Sequence, residues 1–200
     1  MGIKLFGKNI CRFYKHHIMR LEYKETAINP DLYLCKIDLD HIAEELKPIG
    51  TTVTVNNLNR LVRMNTGRCE GFKLVKGEQS VGTIWILYKG SDDLEYRIRN
   101  IDAYIFDVFV NNSYRGRGYA GEMIRQLMCY LHGKGIDTAH LAVSVSNESA
   151  IRAYKKTGFT IVKDRNFARI MKINIPYHIL IISYNWPEKT YADIRKKKLL

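Results

Sequence analysis

Ile101-Asp102-Ala103-Tyr104-Ile105-Phe106-Asp107-Val108-Phe109-Val110 runs through Asn111-Asn112-Ser113-Tyr114 into Arg115-Gly116-Arg117-Gly118-Tyr119-Ala120-Gly121. The first ten residues are apolar almost throughout, the pattern of a strand covered on both faces. Beyond the glycines, Ala120, Met123, Ile124, Leu127, Met128 and Leu131 advance in alternating steps of three and one. That is the stripe of an amphipathic helix, and Gly133 and Gly135 predict its end. Strand, glycine-rich turn and helix in that order are the first part of a βαβ crossover.

Working outward, residues 139–145 read as the next strand, expected to run parallel to 101–110 through a right-handed crossover. Residues 147–157 read as a helix closed by Gly158. Residues 159–162 and 168–175 read as two strands in a hairpin. Upstream, 70–75 and 81–88 read as strands joined by a turn at Lys76-Gly77-Glu78. Residues 40–46 read as a short helix stopped by Lys47-Pro48, and 57–64 as a second. The prediction is an α/β fold with a central mixed sheet and flanking helices. Its domain spans 36–176. Residues 1–35 form a basic N-terminal extension of uncertain structure, and 177–200 a C-terminal extension with a basic tail, which is a candidate dimer contact.

The chain has 200 residues, 46% of them hydrophobic. That supplies a core and excludes global disorder. No window approaches the ~20 apolar residues of a membrane span. The opening residues lack a signal-peptide pattern. The reading is a soluble, cytoplasmic protein. Cys11, Cys35, Cys69 and Cys129 form no CxxC pair and join no histidine cluster, so no metal site is expected. The formal charge of +12 gathers partly at the ends, with six Lys/Arg against one Glu in residues 1–24. Basic ends can meet nucleic acid. RNA-recognition patterns are absent, however, and a solvated tail accounts for them.

The glycine loop has a direct chemical reading. Gly116 and Gly118 allow close backbone approach, and a helix start offers unpaired N–H groups. Together they make a diphosphate cradle, with Arg115 and Arg117 adding charge. Gly116-Arg117-Gly118-Tyr119-Ala120-Gly121 also spells the dinucleotide pattern GxGxxG. That pattern requires an acid about 20 residues on, at the end of the next strand. Here that strand ends at Val145-Ser146-Asn147, without one. A Walker loop is excluded because no Gly-Lys-Ser/Thr follows.

Arg115 through Ala120 resembles the Arg/Gln-x-x-Gly-x-Gly/Ala signature of the GNAT superfamily of N-acetyltransferases. Asn147-Glu148-Ser149-Ala150-Ile151-Arg152-Ala153-Tyr154-Lys155-Lys156-Thr157-Gly158-Phe159 resembles that family's second motif in every fixed letter. The resemblance covers roughly residues 70–175. It implies a GNAT-like fold whose two parallel strands splay apart, with acetyl-CoA as co-substrate and no metal. The cofactor-binding residues it implies are Val108, Phe109, Val110, Arg115, Gly116, Arg117, Gly118, Tyr119, Ala120, Asn147 and Tyr154. A backbone N–H near Val110 would polarise the thioester, and Tyr154 would be the general acid. The family's usual base position falls on Tyr104, which is no acid. Asp107, an acid in an apolar strand, is the candidate base if the register bulges there; water or another group are the alternatives. The implied activity is N-acetylation of a primary amine on a small molecule. Arg97 and Arg99 favour an acidic or phosphorylated one. Acetylation of a protein amine, or acetyl-CoA binding without turnover, are the rival readings.

Overall fold

The computed structural model describes residues 2–5, 8–49, 62, 65–91, 101–171 and 179–184, and side chains between residues 15 and 165 of these. In chain order the strands are β1 (Gly2–Leu5), β2 (Lys8–Glu22), β3 (Leu32–Lys36), β4 (Cys69–Lys76), β5 (Gln79–Tyr88), β6 (Ala103–Val110), β7 (Thr138–Ser144), β8 (Thr160–Met171) and β9 (Ile179–Tyr184). The helices are α1 (Ile42–Leu46), α2 (Tyr119–Gly133) and α3 (Glu148–Lys156). All strands join one sheet in the order β3-β4-β5-β6-β7-β2-β8-β9, with β1 pairing to β2.

The crossover from β6 to β7 is parallel, as expected. Its ladder covers Ala103↔Ala139, Tyr104↔His140 and Ile105↔Leu141 and goes no further. Beyond that point the two strands part, and residues 106–110 keep an edge free of β7. The apolar stripe of α2 closes one face of the sheet. Met123, Ile124, Leu127, Met128 and Leu131 are buried against Ile84, Ile105, Leu141 and Val143. Two polar side chains are buried with them. Gln126 donates through Nε2 to Leu32 O and accepts from Leu34 N. Glu122 accepts from Asn29 N at 2.9 Å. These bonds tie edge strand β3 to the helix, which a reading of the apolar stripe alone does not foresee. On the other face α1 packs Ile42 and Leu46 over Trp85, Leu87 and Tyr104.

The structure corrects three sequence expectations. Residues 8–22, expected in the N-terminal extension, form β2 inside the sheet, between β7 and β8. Met19 and Leu21 on this strand enter the main core. Residues 160–171 form one strand rather than two. Within the stretch expected to separate them, Asp164 is bonded across the ladder by Lys15 Nζ and His17 Nδ1, each at 2.6 Å. Cross-strand pairing keeps such a segment extended. Residues 179–184, expected in the C-terminal extension, add β9 to the edge of β8. The helix expected over 57–64 lies outside the described residues except for Val62. So do Arg97, Arg99 and the tail beyond 184. Among the described residues no helix is long and apolar enough to cross a membrane.

Gly71 on β4 lies opposite Trp85 on β5. A Cβ there would stand 2.5 Å from the indole, which is fully buried. Gly71→Ala is expected to cost about 1–3 kcal/mol through overpacking. A lowered urea midpoint at unchanged slope checks this; an unchanged midpoint contradicts it.

Candidate active site

The site forms where β6 leaves β7. On β5 the step from Thr83 to Trp85 spans two residues, while the paired step on β6, from Phe109 to Phe106, spans three. One extra residue is therefore inserted in β6, a β-bulge that bends the strand and re-aims a side chain. Asp107 carries the irregularity, with φ of 45°, and is the one non-glycine residue in the left-handed region among those described. Such a conformation stores strain and is found where function demands it. Gly82 lets β5 approach this point: a Cβ there would stand 2.4 Å from Phe109 O.

The bulge separates Asp107 from the other two residues considered for the base. Tyr104, in the family's usual base position, is buried beside Trp85 and Leu87 in the α1-side cluster. Asp102 is exposed and pairs with Lys89 at 3.5 Å. Asp107 instead stands at the splay. Its Oδ2 is buried and has no hydrogen-bond partner among the described residues. Burial pushes its carboxyl up to about 6, because a low-dielectric surrounding disfavours the charged form. A carboxyl titrating there is half ionised near pH 6 and accepts protons readily at neutral pH.

Tyr154 reaches the same region from α3. Asn147 starts this helix, its Oδ1 accepting from Ala150 N at 3.2 Å and from Ser149 Oγ at 3.1 Å. Gly158, at φ of 99°, ends it, and Phe159 turns into the core. The Tyr154 ring packs at 5.9 Å from that of Phe159. Burial, and then the charge of Asp107, push its phenol up to about 12. It stays protonated at neutral pH and is thus a proton donor electrostatically linked to a proton acceptor.

The loop between β6 and α2 is built as a cradle. Asn111 accepts from Ser113 N at 3.0 Å and donates through Nδ2 to Ile49 O. Gly116 and Gly118 sit at φ of 78° and 80°, and a Cβ at either would meet no atom within 4 Å. Glycine is needed there for the backbone, and the space beside it is open. The first helical bond of α2 runs from Glu122 N to Gly118 O, so the N–H groups of Tyr119, Ala120 and Gly121 precede it and point to the loop. Arg115 folds back, donating through Nε to Val110 O at 3.1 Å with its guanidinium over Phe109.

A cavity of about 530 Å³ runs from the glycine loop to Tyr154, and Asp107 is not among its lining residues. It is lined by Val108, Phe109, Val110, Arg115, Gly116, Gly118, Tyr119, Ala120, Asn147 and Tyr154. The structure thus brings together every cofactor-binding residue named from the sequence except Arg117, whose guanidinium lies over the Tyr114 ring on the exposed side. Tyr114, Ser149, Ala150, Ala153 and Lys156 also line it. Lys156 was not foreseen. Two residues beyond Tyr154, it lies in the last turn of α3 and brings a cation to the wall.

A splayed parallel pair over a glycine cradle, with an acid and a phenol at the gap, is an architecture suited to group transfer. The sequence matches the acetyltransferase (GNAT) family over residues 41–159. The chain belongs to that family. It is 31% identical over 87 residues to a mycothiol acetyltransferase of Corynebacterium efficiens, which covers 44% of this chain and 26% of that protein. The chain therefore corresponds to only about a quarter of that curated relative. Among solved structures it resembles a GCN5-related N-acetyltransferase from Sphaerobacter thermophilus, with a TM-score of 0.57, 14% identity and coverage of 82% of this chain and 54% of that one. It also resembles a GNAT acetyltransferase from Colwellia psychrerythraea, with a TM-score of 0.55, 15% identity and coverage of 80% and 57%. These likenesses establish the fold.

Proposed function

We propose that this chain is an N-acetyltransferase that moves the acetyl group of acetyl-CoA to a primary amine of a small molecule. The observation that carries the reading is the bulge: it leaves Asp107, with an unpartnered buried oxygen, near enough to Tyr154 for its charge to act on the phenol, and Tyr154 lines the cavity over the loop of Gly116 and Gly118. The open space beside the two glycines and the unpaired N–H groups of α2 fit a diphosphate. The free edge of residues 106–110 fits an amide-bearing arm added like a strand. Acetyl-CoA would supply both groups and an activated acyl carbon.

In this reaction the amine must attack in its neutral form. Asp107 takes its proton, directly or through water. The new C–N bond forms as the C–S bond breaks, and Tyr154 gives its proton to the departing sulfur. A backbone N–H near Val110 stabilises the oxygen that becomes negative between those events. The proton balance needs nothing beyond these two side chains and solvent.

An acetyl-CoA-binding module without turnover is the rival that a missing base would favour. A buried carboxyl whose pKa is raised to about 6 at the gap argues against it. The curated relative, a mycothiol acetyltransferase, supports a small acceptor over a protein one. The test is acetyl-CoA consumption across amino sugars, amino acids, polyamines and peptide N-termini. Release of free CoA in step with acetylated amine is expected for at least one small acceptor. Tight acetyl-CoA binding with no turnover on any of them would leave the binding-module reading in its place.

A further inference from the structure

The last carbonyl of β6 is claimed by a side chain. Asn111 N donates to Val81 O at 3.0 Å, so residue 111 faces β5. In an antiparallel strand the backbone groups of successive residues face opposite edges. Phe109 therefore faces β5 as well, and a Cβ on Gly82 of that strand would stand 2.4 Å from Phe109 O. Val110 faces the other way. Its N–H and its carbonyl look out from the edge that β7 has left, since the ladder to β7 ends at Ile105. Of those two groups, the carbonyl oxygen accepts from Arg115 Nε at 3.1 Å.

The arginine is held in this pose from both ends. Its guanidinium carbon lies 5.8 Å from the centre of the Phe109 ring, a cation–π contact. Its backbone belongs to a short closed turn, in which Tyr114 N donates to Asn111 O and Arg115 N to Asn112 O. Asn111 Oδ1 ties the same turn by accepting from Ser113 N. The atom that reaches the strand is Nε. It carries one hydrogen, and that hydrogen is spent on Val110 O.

An amide-bearing arm added to an edge pairs with the groups which that edge leaves open. With Val110 O capped, an N–H of the arm finds no acceptor at residue 110, while Val110 N–H still faces outward. The edge then ends on a donor with no bare acceptor beside it. That is the polarity a thioester carbonyl needs, because its oxygen becomes negative as the amine attacks. A bare carbonyl at the same place would compete for the arm's amides. It would also set a second electronegative oxygen beside the developing charge.

We propose that Arg115 is a positioning residue: its Nε caps Val110 O and so fixes the register in which the donor's arm joins β6, with the thioester carbonyl at Val110 N–H. The inference rests on the acetyltransfer reading above and adds a residue to it. The work assigned to Arg115 is done by a directed hydrogen bond. A guanidinium serving the diphosphate would act through its charge, which lysine also carries.

Three substitutions separate the bond from the charge. Glutamine places an amide N–H as many bonds from Cα as Arg Nε and carries no charge. Lysine carries the charge but has a methylene at that position, and methionine has neither donor nor charge. Acetyl-CoA affinity is read by calorimetry, and kcat on the best amine of the panel above. Arg115 is exposed, so the variants are expected to fold, and urea midpoints check this. Arg115→Gln is expected to keep kcat within about threefold of the wild type. Arg115→Lys and Arg115→Met should each lower it by about tenfold to a hundredfold, the range of a misplaced reacting group. Retention of kcat by lysine with loss in glutamine would overturn the proposal in favour of a charge role. Losses confined to the Kd of acetyl-CoA, equal losses of kcat in all three, or no loss in any would overturn it as well. Each of these leaves acetyl transfer standing. Absence of turnover by the wild type on every amine, with acetyl-CoA still bound, would remove the acetyltransfer reading and this inference with it.

Discussion

Asp107→Asn is expected to lower kcat by about 10²–10⁴, the range of a lost general base, and at the same time to stabilise the protein above neutral pH. Both effects come from one environment. In the fold the carboxyl titrates at about 6, against 3.8 for the free side chain. Because the folded value is the higher one, the fold favours the protonated form. The associated stability is fully present below pH 3.8 and is lost as pH rises through 6. The difference corresponds to about 3 kcal/mol. Asparagine keeps the shape and carries no charge, so its variant should not pay this penalty. The wild-type urea midpoint should decline between pH 4 and 8 by more than the variant's. The rising limb of kcat/KM near pH 6 should be present in the wild type and missing in the variant. Full activity in Asp107→Asn would remove the residue from the mechanism, whatever the stability data show.

The second large effect belongs to Tyr154→Phe. Burial and the charge of Asp107 keep the phenol protonated up to about pH 12, and phenylalanine keeps its packing on Phe159. Turnover is expected to fall by about 10²–10³, while the Kd of acetyl-CoA moves less than about threefold because the ring still lines the cavity. A loss confined to affinity would show that Tyr154 is only a wall of the site. An unchanged kcat would mean that solvent protonates the sulfur.

The strand, loop and helix of residues 101–131 were legible because each follows a local rule: an apolar run, glycines at forced dihedrals, and a stripe at helical spacing. The glycine turn and the helix that carries Tyr154 came with them, since their motifs are contiguous. What the sequence did not disclose is held by long-range pairing. β2 shows no clean alternation, and it becomes a strand only because β7 and β8 flank it on both edges. The break expected between residues 162 and 168 is absent because Lys15 and His17 pair across from Asp164. Asp107 was visible as an odd acid in an apolar strand. The role proposed for it depends on one inserted residue, and insertion can be defined only against the partner strand β5. Gly82 was the faint local signal, an uncovered backbone where the bulge needs room.

The account stands on the loop of Gly116 and Gly118 as the seat of the donor's diphosphate. Calorimetric titration of acetyl-CoA into the wild type and Gly118→Val tests this most directly, with circular dichroism and urea midpoints confirming that the variant is folded. Valine at φ of 80° strains the turn and places its methyl groups in the open space of the cradle. One equivalent of acetyl-CoA is expected to bind the wild type, and binding to the variant to weaken at least about tenfold. Equal affinity in the two proteins, or no binding by the wild type, would contradict the account.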